Sequence, residues 1–237
     1  MARLILLLLW AAALAAPQSR VTEILILYDN TVAQPGLTGD WGFAALVAHN
    51  GRRVLLDTGA KAEVFLENLR KLDIDPASIE HVVISHAHAD HTGGLERLLA
   101  LNPRLVVHQP KSPEPYQVVP GVYSTGVLTG PPSEQALVID TAKGLVVLTG
   151  CSHPGVVRMV EAAQRQRGKD AVRLVLGGFH MLEQSEAQIK ATIAALKRMN
   201  VGVAMPTHCS GDLTIKLFRE AFGAGPGVGA GRLIVLD

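Results

Sequence analysis

The stretch His86-Ala87-His88-Ala89-Asp90-His91 places three imidazoles and one carboxylate within six residues. It follows the apolar run His81 to Ser85, which predicts a strand, and precedes Thr92-Gly93-Gly94, where a helix can begin. Zinc accepts imidazole nitrogen and carboxylate oxygen, and a turn between a strand and a helix lets neighbouring side chains reach two ions. The stretch therefore predicts one or two metal positions. The alternative is a solvated turn that is rich in histidine by chance.

Three later histidines, His153, His180 and His208, each stand just beyond an apolar run that predicts a strand. Taken alone, a histidine at such a position is more often structural than a ligand. In layered α/β folds, however, active-site groups collect along one edge of the sheets. We therefore expect His153 and His208 to join the cluster at 86–91.

The composition indicates one folded domain over residues 20–237, because a chain of 237 residues can form a single α/β core. A hydrophobic fraction of 48% argues against disorder. The 22 Lys and Arg residues almost balance the 21 Asp and Glu residues, so no broad field favours nucleic acid. We expect a small-molecule substrate and no nucleic-acid partner, while the oligomeric state stays open.

The N-terminal residues 1–16 predict a signal peptide. Arg3 is followed by an apolar run from Leu4 to Leu14, and the small residues of Ala13-Leu14-Ala15 precede Pro17. The apolar run is shorter than the ~20 residues that span a bilayer. We expect cleavage, no stable membrane insertion and an exported protein, periplasmic or secreted. A retained anchor is the alternative.

The remaining pattern predicts an α/β fold with two similar halves. The passages Val54 to Gly59 and Val146 to Gly150 resemble one another, and helical spacing follows in segments such as Lys61 to Leu72. Two β-rich layers with helices outside give a four-layer αββα sandwich. Five prolines between Pro103 and Pro120 predict a surface loop over the site, which would set specificity together with the segment Pro35 to Trp41.

The motif H-x-H-x-D-H at 86–91 resembles the signature of the metallo-β-lactamase superfamily. Further motifs resemble one branch, the dihydropterin-type synthases, named for 7,8-dihydropterin-6-yl-methyl-4-(β-D-ribofuranosyl)aminobenzene 5'-phosphate synthase. These motifs are Asp29-Asn30-Thr31, Leu56-Asp57-Thr58-Gly59, Glu134-Gln135, Thr149-Gly150-Cys151-Ser152-His153-Pro154-Gly155, Gly177-Gly178-Phe179-His180 and Thr207-His208-Cys209.

The resemblance implies the four-layer sandwich and two groups of metal ligands. The first group is His86, His88 and His153, and the second is Asp90, His91 and His208. Many hydrolases of the superfamily bridge the two metals with an aspartate where this chain has His180. A neutral imidazole cannot bridge two cations as a carboxylate does. His180 therefore binds one metal terminally, or donates a proton nearby, or only one site fills well.

Four further residues have roles with an open alternative. Asp57 is expected to orient a ligand imidazole through its other nitrogen, and the alternative is a capped turn. Asn30 is a candidate substrate contact, and the alternative is an Asx-turn. Cys151 and Cys209 are expected to be packing residues; the alternatives are zinc binding as thiolates and oxidation of the pair in an exported protein.

Three functions are consistent with these residues. The first is a hydrolase of a small ester, lactone or phosphoester through a metal-activated water, with Asp90 as ligand or nucleophile-orienting group and His180 as proton donor. The second is a synthase-like transferase of pterin cofactor chemistry, against which the predicted leader argues, since cofactor biosynthesis needs cytoplasmic intermediates. The third is a non-catalytic exported metal-binding module. We expect one or two divalent cations, zinc first, with iron and manganese as alternatives.

Overall fold

The computed structural model describes residues 21–223 and 227–237, so the predicted leader at 1–16 lies outside the described residues. Within these ranges, no helix combines the length and the apolar character needed to cross a membrane. The strands are β1 (Thr22–Tyr28), β2 (Ala44–His49), β3 (Arg52–Leu56), β4 (His81–Val83), β5 (Val106–His108), β6 (Tyr116–Val119), β7 (Val122–Ser124), β8 (Leu137–Thr141), β9 (Gly144–Thr149), β10 (Val172–Gly178), β11 (Val201–Thr207) and β12 (Leu233–Leu236). The helices are α1 (Ala62–Lys71), α2 (Ala89–Thr92), α3 (Leu95–Leu101), α4 (Val156–Arg167), α5 (Glu186–Arg198) and α6 (Asp212–Phe222), with short 3-10 turns at Pro76–Ser78 and His208–Ser210.

The strands form two six-stranded sheets. The first has the order β12-β1-β2-β3-β4-β5 and the second has the order β11-β10-β9-β8-β7-β6. Three apolar clusters separate four layers. Side chains that alternate along a strand enter different clusters, as Val54 faces the second sheet while Leu55 packs beneath α1. On the other side, Val147 packs with Met159 of α4. The predicted αββα sandwich is confirmed.

The two sheets share a local plan. In each, an antiparallel hairpin, β2–β3 or β8–β9, is followed by a parallel neighbour, β4 or β10. The first hairpin turns at Asn50 and Gly51, whose φ values of 51° and 74° are those that a tight hairpin turn requires. The strands β3 and β4 are parallel, as are β9, β10 and β11. Their carboxyl ends therefore gather the residues that follow them.

The predicted surface loop between Pro103 and Pro120 is wrong in part, because this segment contains β5 and β6. Each is an edge strand, paired on one side only, with β4 and β7 respectively. The prolines at 110, 113 and 115 lie in the connection between them, where no ladder hydrogen bond is lost. The segment therefore leads from the edge of one sheet to the edge of the other.

Candidate metal centre

The predicted metal ligands follow the carboxyl ends of the parallel strands. His86 follows β4, His153 follows β9 and His208 follows β11. The backbone turns sharply at these ends, because Asp57, Ser152, His180 and His208 adopt left-handed conformations, with φ between 51° and 62°. Such conformations are unfavourable for residues other than glycine and are typical of functional sites.

The first predicted group of ligands comes together as three imidazole rings. The ring centroids of His86 and His88 are 4.7 Å apart, those of His86 and His153 are also 4.7 Å apart, and those of His88 and His153 are 4.9 Å apart. His86 is fully buried, whereas His88 is exposed. The three rings are therefore neighbours, but the donor atoms that lie within 4.8 Å of one another here are those of His86, His153 and Cys151, and His88 is not among them.

The second predicted group surrounds the carboxylate of Asp90. Its Oδ2 atom lies 3.2 Å from Nε2 of His208 and 3.7 Å from Nε2 of His91. Ligands at the corners of a tetrahedron with metal bonds of about 2.0–2.3 Å are roughly 3.3–3.8 Å apart. The ring centroids of His86 and His91 are 4.2 Å apart, so the two groups adjoin.

Asp57 fixes the proton positions of two imidazoles. Its Oδ2 atom lies 2.7 Å from Nδ1 of His91 and accepts a hydrogen bond of 2.7 Å from the hydroxyl of Ser85. Because that hydroxyl proton is used, the Ser85 oxygen accepts from Nδ1 of His86 at 2.9 Å. Both imidazoles then carry their proton on Nδ1 and turn the lone pair of Nε2 into the site.

Asn30 fixes the proton position of a third imidazole, that of His208. Its side-chain oxygen accepts from the backbone N–H of Gly42 and lies 3.0 Å from Nδ1 of His208, while its side-chain nitrogen donates to the carbonyl of His208. These bonds identify Nδ1 of His208 as a donor and leave a lone pair on Nε2. The structure thus places Asn30 against a predicted ligand, and its contact with a substrate stays a prediction.

The residues present fit a divalent cation. The Nε2 atoms of His86, His153 and His208 are buried and have no hydrogen-bond partner, which is costly unless another group satisfies them. Burial and the neighbouring imidazoles lower the pKa of His86 to about 2 and that of His153 to about 4, so both are neutral at pH 7. Burial opposes the ionisation of Asp90, but His208 and His91 outweigh it and lower its pKa. Neutral imidazoles beside an anionic carboxylate are the donor set that zinc and related metals require.

Glu134 holds the loop that carries His153, a role that sequence reasoning did not assign. The Glu134 side chain is fully buried, and one carboxylate oxygen accepts from the backbone N–H groups of Gly150, Cys151 and Ser152. The other accepts from the N–H of His153. The Glu134-Gln135 motif was the sequence feature that could have indicated this role. The backbone groups that Glu134 binds lie close to it only because β8 pairs with β9.

The two cysteines are free, buried thiols within the centre rather than distant packing residues. Sγ of Cys151 lies 3.1 Å from Nε2 of His91. Cys209 lies beside His180, and the contacts with the Cys151 thiol and His180 lower the pKa of Cys209. The ring of His180 is 4.3 Å from that of His153 by centroid, so His180 borders the centre at its exposed edge.

Two clefts meet at His180. One, of about 270 Å³, is lined by Trp41, His180, Leu182, Glu183, Gln184 and Cys209. The other, of about 360 Å³, contains His153, Arg158, Phe179 and Gln184 beside His180. Neither cleft is lined by residues 102–120, whereas Trp41 comes from the segment Pro35 to Trp41 that was expected to set specificity. The Trp41 indole is about half exposed, donates a hydrogen bond of 2.9 Å to Asp90 and lies 4.8 Å from the His208 ring.

Comparisons with known proteins agree with this geometry. The family model described as the metallo-beta-lactamase superfamily matches residues 38–161. A 7,8-dihydropterin-6-methyl-4-(beta-D-ribofuranosyl)-aminobenzene-5'-phosphate synthase of Methanocaldococcus jannaschii is 31% identical over 76% of this chain and 83% of its own length.

Solved structures extend the likeness to the whole fold. Tm1679, described as a metal-dependent hydrolase of the beta-lactamase superfamily, superposes with a TM-score of 0.74 and 26% identity, covering 90% of this chain and 98% of its own. Zinc-bound PqqB of Methylobacterium extorquens shares the fold at a TM-score of 0.56 and 16% identity, over 91% of this chain and 99% of its own. The histidine motif, the αββα sandwich and these matches together show that the chain belongs to the metallo-β-lactamase superfamily.

Proposed function

We propose that this chain is a metal-dependent synthase that joins a dihydropterin-type ring to a phosphate-bearing aromatic partner. One observation carries the metal dependence: the buried Nε2 atoms of His86, His153 and His208 have no hydrogen-bond partner and lie in two adjoining groups of donor atoms, one of which contains Asp90. A divalent cation bound there supplies Lewis-acid chemistry, polarising a substrate oxygen or acidifying water. Zinc is the first candidate, because imidazole and carboxylate donors suit it.

The two clefts support a reaction with two organic partners. The cleft beside Trp41 offers an exposed indole face, on which a flat heteroaromatic ring can stack. Glu183 in the same cleft can accept hydrogen bonds from the amino group and ring N–H of such a ring. The cleft on the other side of His180 contains Arg158, whose guanidinium suits a phosphate. The amino nitrogen of the aromatic partner would displace a leaving group, such as diphosphate, from the methyl carbon of the pterin beside His180, and His180 would take up the proton that the nitrogen loses.

The residues around the centre then have distinct tasks. Asp57 and Asn30 hold the imidazoles of His91 and His208 with their lone pairs inward. His180 groups with the cysteines and borders the imidazoles, which supports a proton-transfer role over that of a ligand in either predicted group. Asp90 binds the cation and is itself held by the indole N–H of Trp41.

The archaeal relative supports this second hypothesis of the sequence analysis over the first. It is above 30% identical and the match covers most of both chains. A hydrolase of a small ester, lactone or phosphoester remains the second candidate, because Tm1679 is described as a metal-dependent hydrolase. The export that we expect from residues 1–16 favours the hydrolase over the synthase, so it is proposed with this second candidate. Mass spectrometry of the N-terminal peptide of the mature protein tests it.

A direct assay separates the two candidates. The purified, metal-loaded protein is incubated with a dihydropterin whose methyl carbon carries a diphosphate leaving group and with an aminobenzene ribosyl phosphate, and mass spectrometry detects the joined product and the released diphosphate. The same preparation is offered a panel of esters, lactones and phosphodiesters. The proposal expects the joined product, its loss on chelation and its return with zinc. Hydrolysis of the panel without any joined product would overturn the synthase in favour of the hydrolase.

A further inference from the structure

The thiol of Cys151 stands between the two predicted groups of ligands. Three sets of donor atoms, each lying within 4.8 Å of one another, contain it: Asp90, His91, Cys151 and His208 form the first, His86, Cys151 and His153 form the second, and Cys151, His180 and Cys209 form the third. Within residues 21–223 and 227–237, Cys151 is the donor common to all three. Its side chain is almost fully buried, so its position is set by packing rather than by solvent.

More hydrogen-bond acceptors than donors lie around the thiol. Nε2 of His91 carries a lone pair, because Nδ1 donates to Asp57, and it points at Sγ of Cys151 across 3.1 Å and at Asp90 across 3.7 Å. Nε2 of His208, also a lone pair, faces the same carboxylate at 3.2 Å. The thiol proton can satisfy only one of these atoms. A buried convergence of acceptors is stable when a cation lies among them.

The backbone around Cys151 is held in place before any ion binds. Its N–H donates to Glu134 at 2.9 Å, and the carbonyl of Gly150 accepts from the N–H of Gly178 at 3.0 Å. A Cβ atom at Gly178 would lie 2.4 Å from that carbonyl oxygen and 2.7 Å from Sγ of Cys209, so the two strand ends touch here. A rigid loop of this kind keeps a ligand atom in one position.

We propose that Cys151, as a thiolate, is a bridging ligand shared by two divalent cations in this centre. The inference rests on the metal centre of the proposed function and extends it to this residue. A thiolate sulfur has lone pairs for two cations, whereas the imidazole of His180 has one. A coordinated cation also deprotonates a thiol, so the neighbouring acceptors gain a metal in exchange for the proton. Cys209 is absent from the two sets that contain the predicted ligands and shares only the third set, with Cys151 and His180.

Cobalt substitution tests the bridge without any substrate. The metal-free protein is titrated with Co²⁺, and the near-ultraviolet absorption is followed, because thiolate bound to Co²⁺ gives a charge-transfer band there. The titration is repeated with Cys151→Ser and with Cys209→Ser, a matched change in the other buried thiol. Circular dichroism checks that each variant is folded. Zinc X-ray absorption of the unchanged protein needs no variant and detects a sulfur at about 2.3 Å.

The proposal expects the band in the unchanged protein and in Cys209→Ser, its loss in Cys151→Ser, and fewer bound ions in that variant. It also expects sulfur in the zinc spectrum. A band that survives Cys151→Ser, or zinc bound by nitrogen and oxygen alone, would overturn the bridge while leaving the metal centre in place. If the unchanged protein takes up no cobalt or zinc at all, the metal centre itself fails, and the bridge fails with it.

Discussion

The carboxylate of Asp57 lies 2.7 Å from Nδ1 of His91, and both side chains are fully buried. The same carboxylate oxygen accepts from Ser85, which in turn contacts His86. One carboxylate thus orients an imidazole from each of the two adjoining ligand groups. Carboxylates in this position fix the tautomer of a ligand histidine and raise its basicity.

Asp57→Asn is expected to lower the affinity for zinc by about 10- to 100-fold, the usual effect of losing such a partner. The amide no longer supplies the charge that favours a proton on Nδ1 of His91, although the shape of the side chain is kept. Competition with a chelator of known affinity measures the change. Asp73→Asn, a change in an exposed residue of the α1–β4 connection, serves as control. Equal zinc affinity in the two variants would contradict the role of Asp57.

Glu134→Gln is expected to lower the free energy of unfolding by about 1–3 kcal/mol, because a buried carboxylate that accepts four backbone N–H bonds is replaced by an amide. The amide nitrogen of glutamine cannot accept a hydrogen bond, so at least one backbone N–H group loses its acceptor. Zinc affinity should fall as well, since this loop carries His153. Denaturant unfolding measures the first effect, and the exposed Glu114→Gln is the control. A free energy of unfolding within about 0.5 kcal/mol of that of the unchanged protein would contradict the role of Glu134 in holding the loop.

The two clefts predict separate effects on the two substrates of the proposed synthase. Trp41→Ala should raise the KM for the dihydropterin about fivefold, the equivalent of about 1 kcal/mol of stacking, and Trp41→Phe should raise it less. Arg158→Gln should raise the KM for the phosphate-bearing partner by about tenfold or more. Steady-state kinetics with each substrate varied in turn provides the measurement. The two variants are controls for one another, and identical effects on both substrates would contradict the assignment of the clefts.

The metal-free protein should lose stability in acid through His86 and His153. Their folded-state pKa values, about 2 and about 4, lie below the ordinary 6.5, so the unfolded chain binds protons first as the pH falls. The two neutral imidazoles contribute their full share of the free energy of unfolding above pH 6.5. This share is lost progressively between pH 6.5 and about 4, and for His86 the loss continues towards about pH 2. Burial lowers the pKa of His91, but Asp57 outweighs it and raises that pKa, so His91 opposes the trend.

Comparison with His153→Gln isolates one part of this effect. The variant cannot take up a proton at this position, so its unfolding free energy should fall less steeply with pH between pH 6.5 and about 4. Denaturant unfolding of both metal-free proteins at several pH values in this window measures the difference. Parallel curves would show that His153 is not held neutral by the fold.

The fold and the ligand types were predictable because their causes are local in sequence. The hairpin turn at Asn50-Gly51 and the dense motif at 86–91 follow from backbone preference and donor chemistry. The ends of parallel strands then bring His153 and His208 to the same edge. The edge strands β5 and β6 were missed because prolines between them mask short strands that pair on one side only.

The roles of Cys151, Glu134 and Trp41 were not predictable, because each depends on contacts between distant segments. The 3.1 Å approach of Cys151 to His91 requires the two sheets to meet at their carboxyl ends. The Glu134 carboxylate reaches four N–H groups only through the register of the second sheet. The residue type alone indicated that Cys151 is a packing residue. Whether a buried cysteine packs or binds a metal depends on which atoms face its sulfur, and the sequence does not show them.

Anomalous diffraction at the zinc absorption edge, from crystals of the zinc-loaded protein, locates the metal ions relative to the histidines. We expect one anomalous peak within about 2.0–2.3 Å of Nε2 of His86 and His153, and a second within the same distance of Nε2 of His208 and the carboxylate of Asp90. Zinc bound elsewhere, with these nitrogen atoms facing no peak, would contradict this expectation.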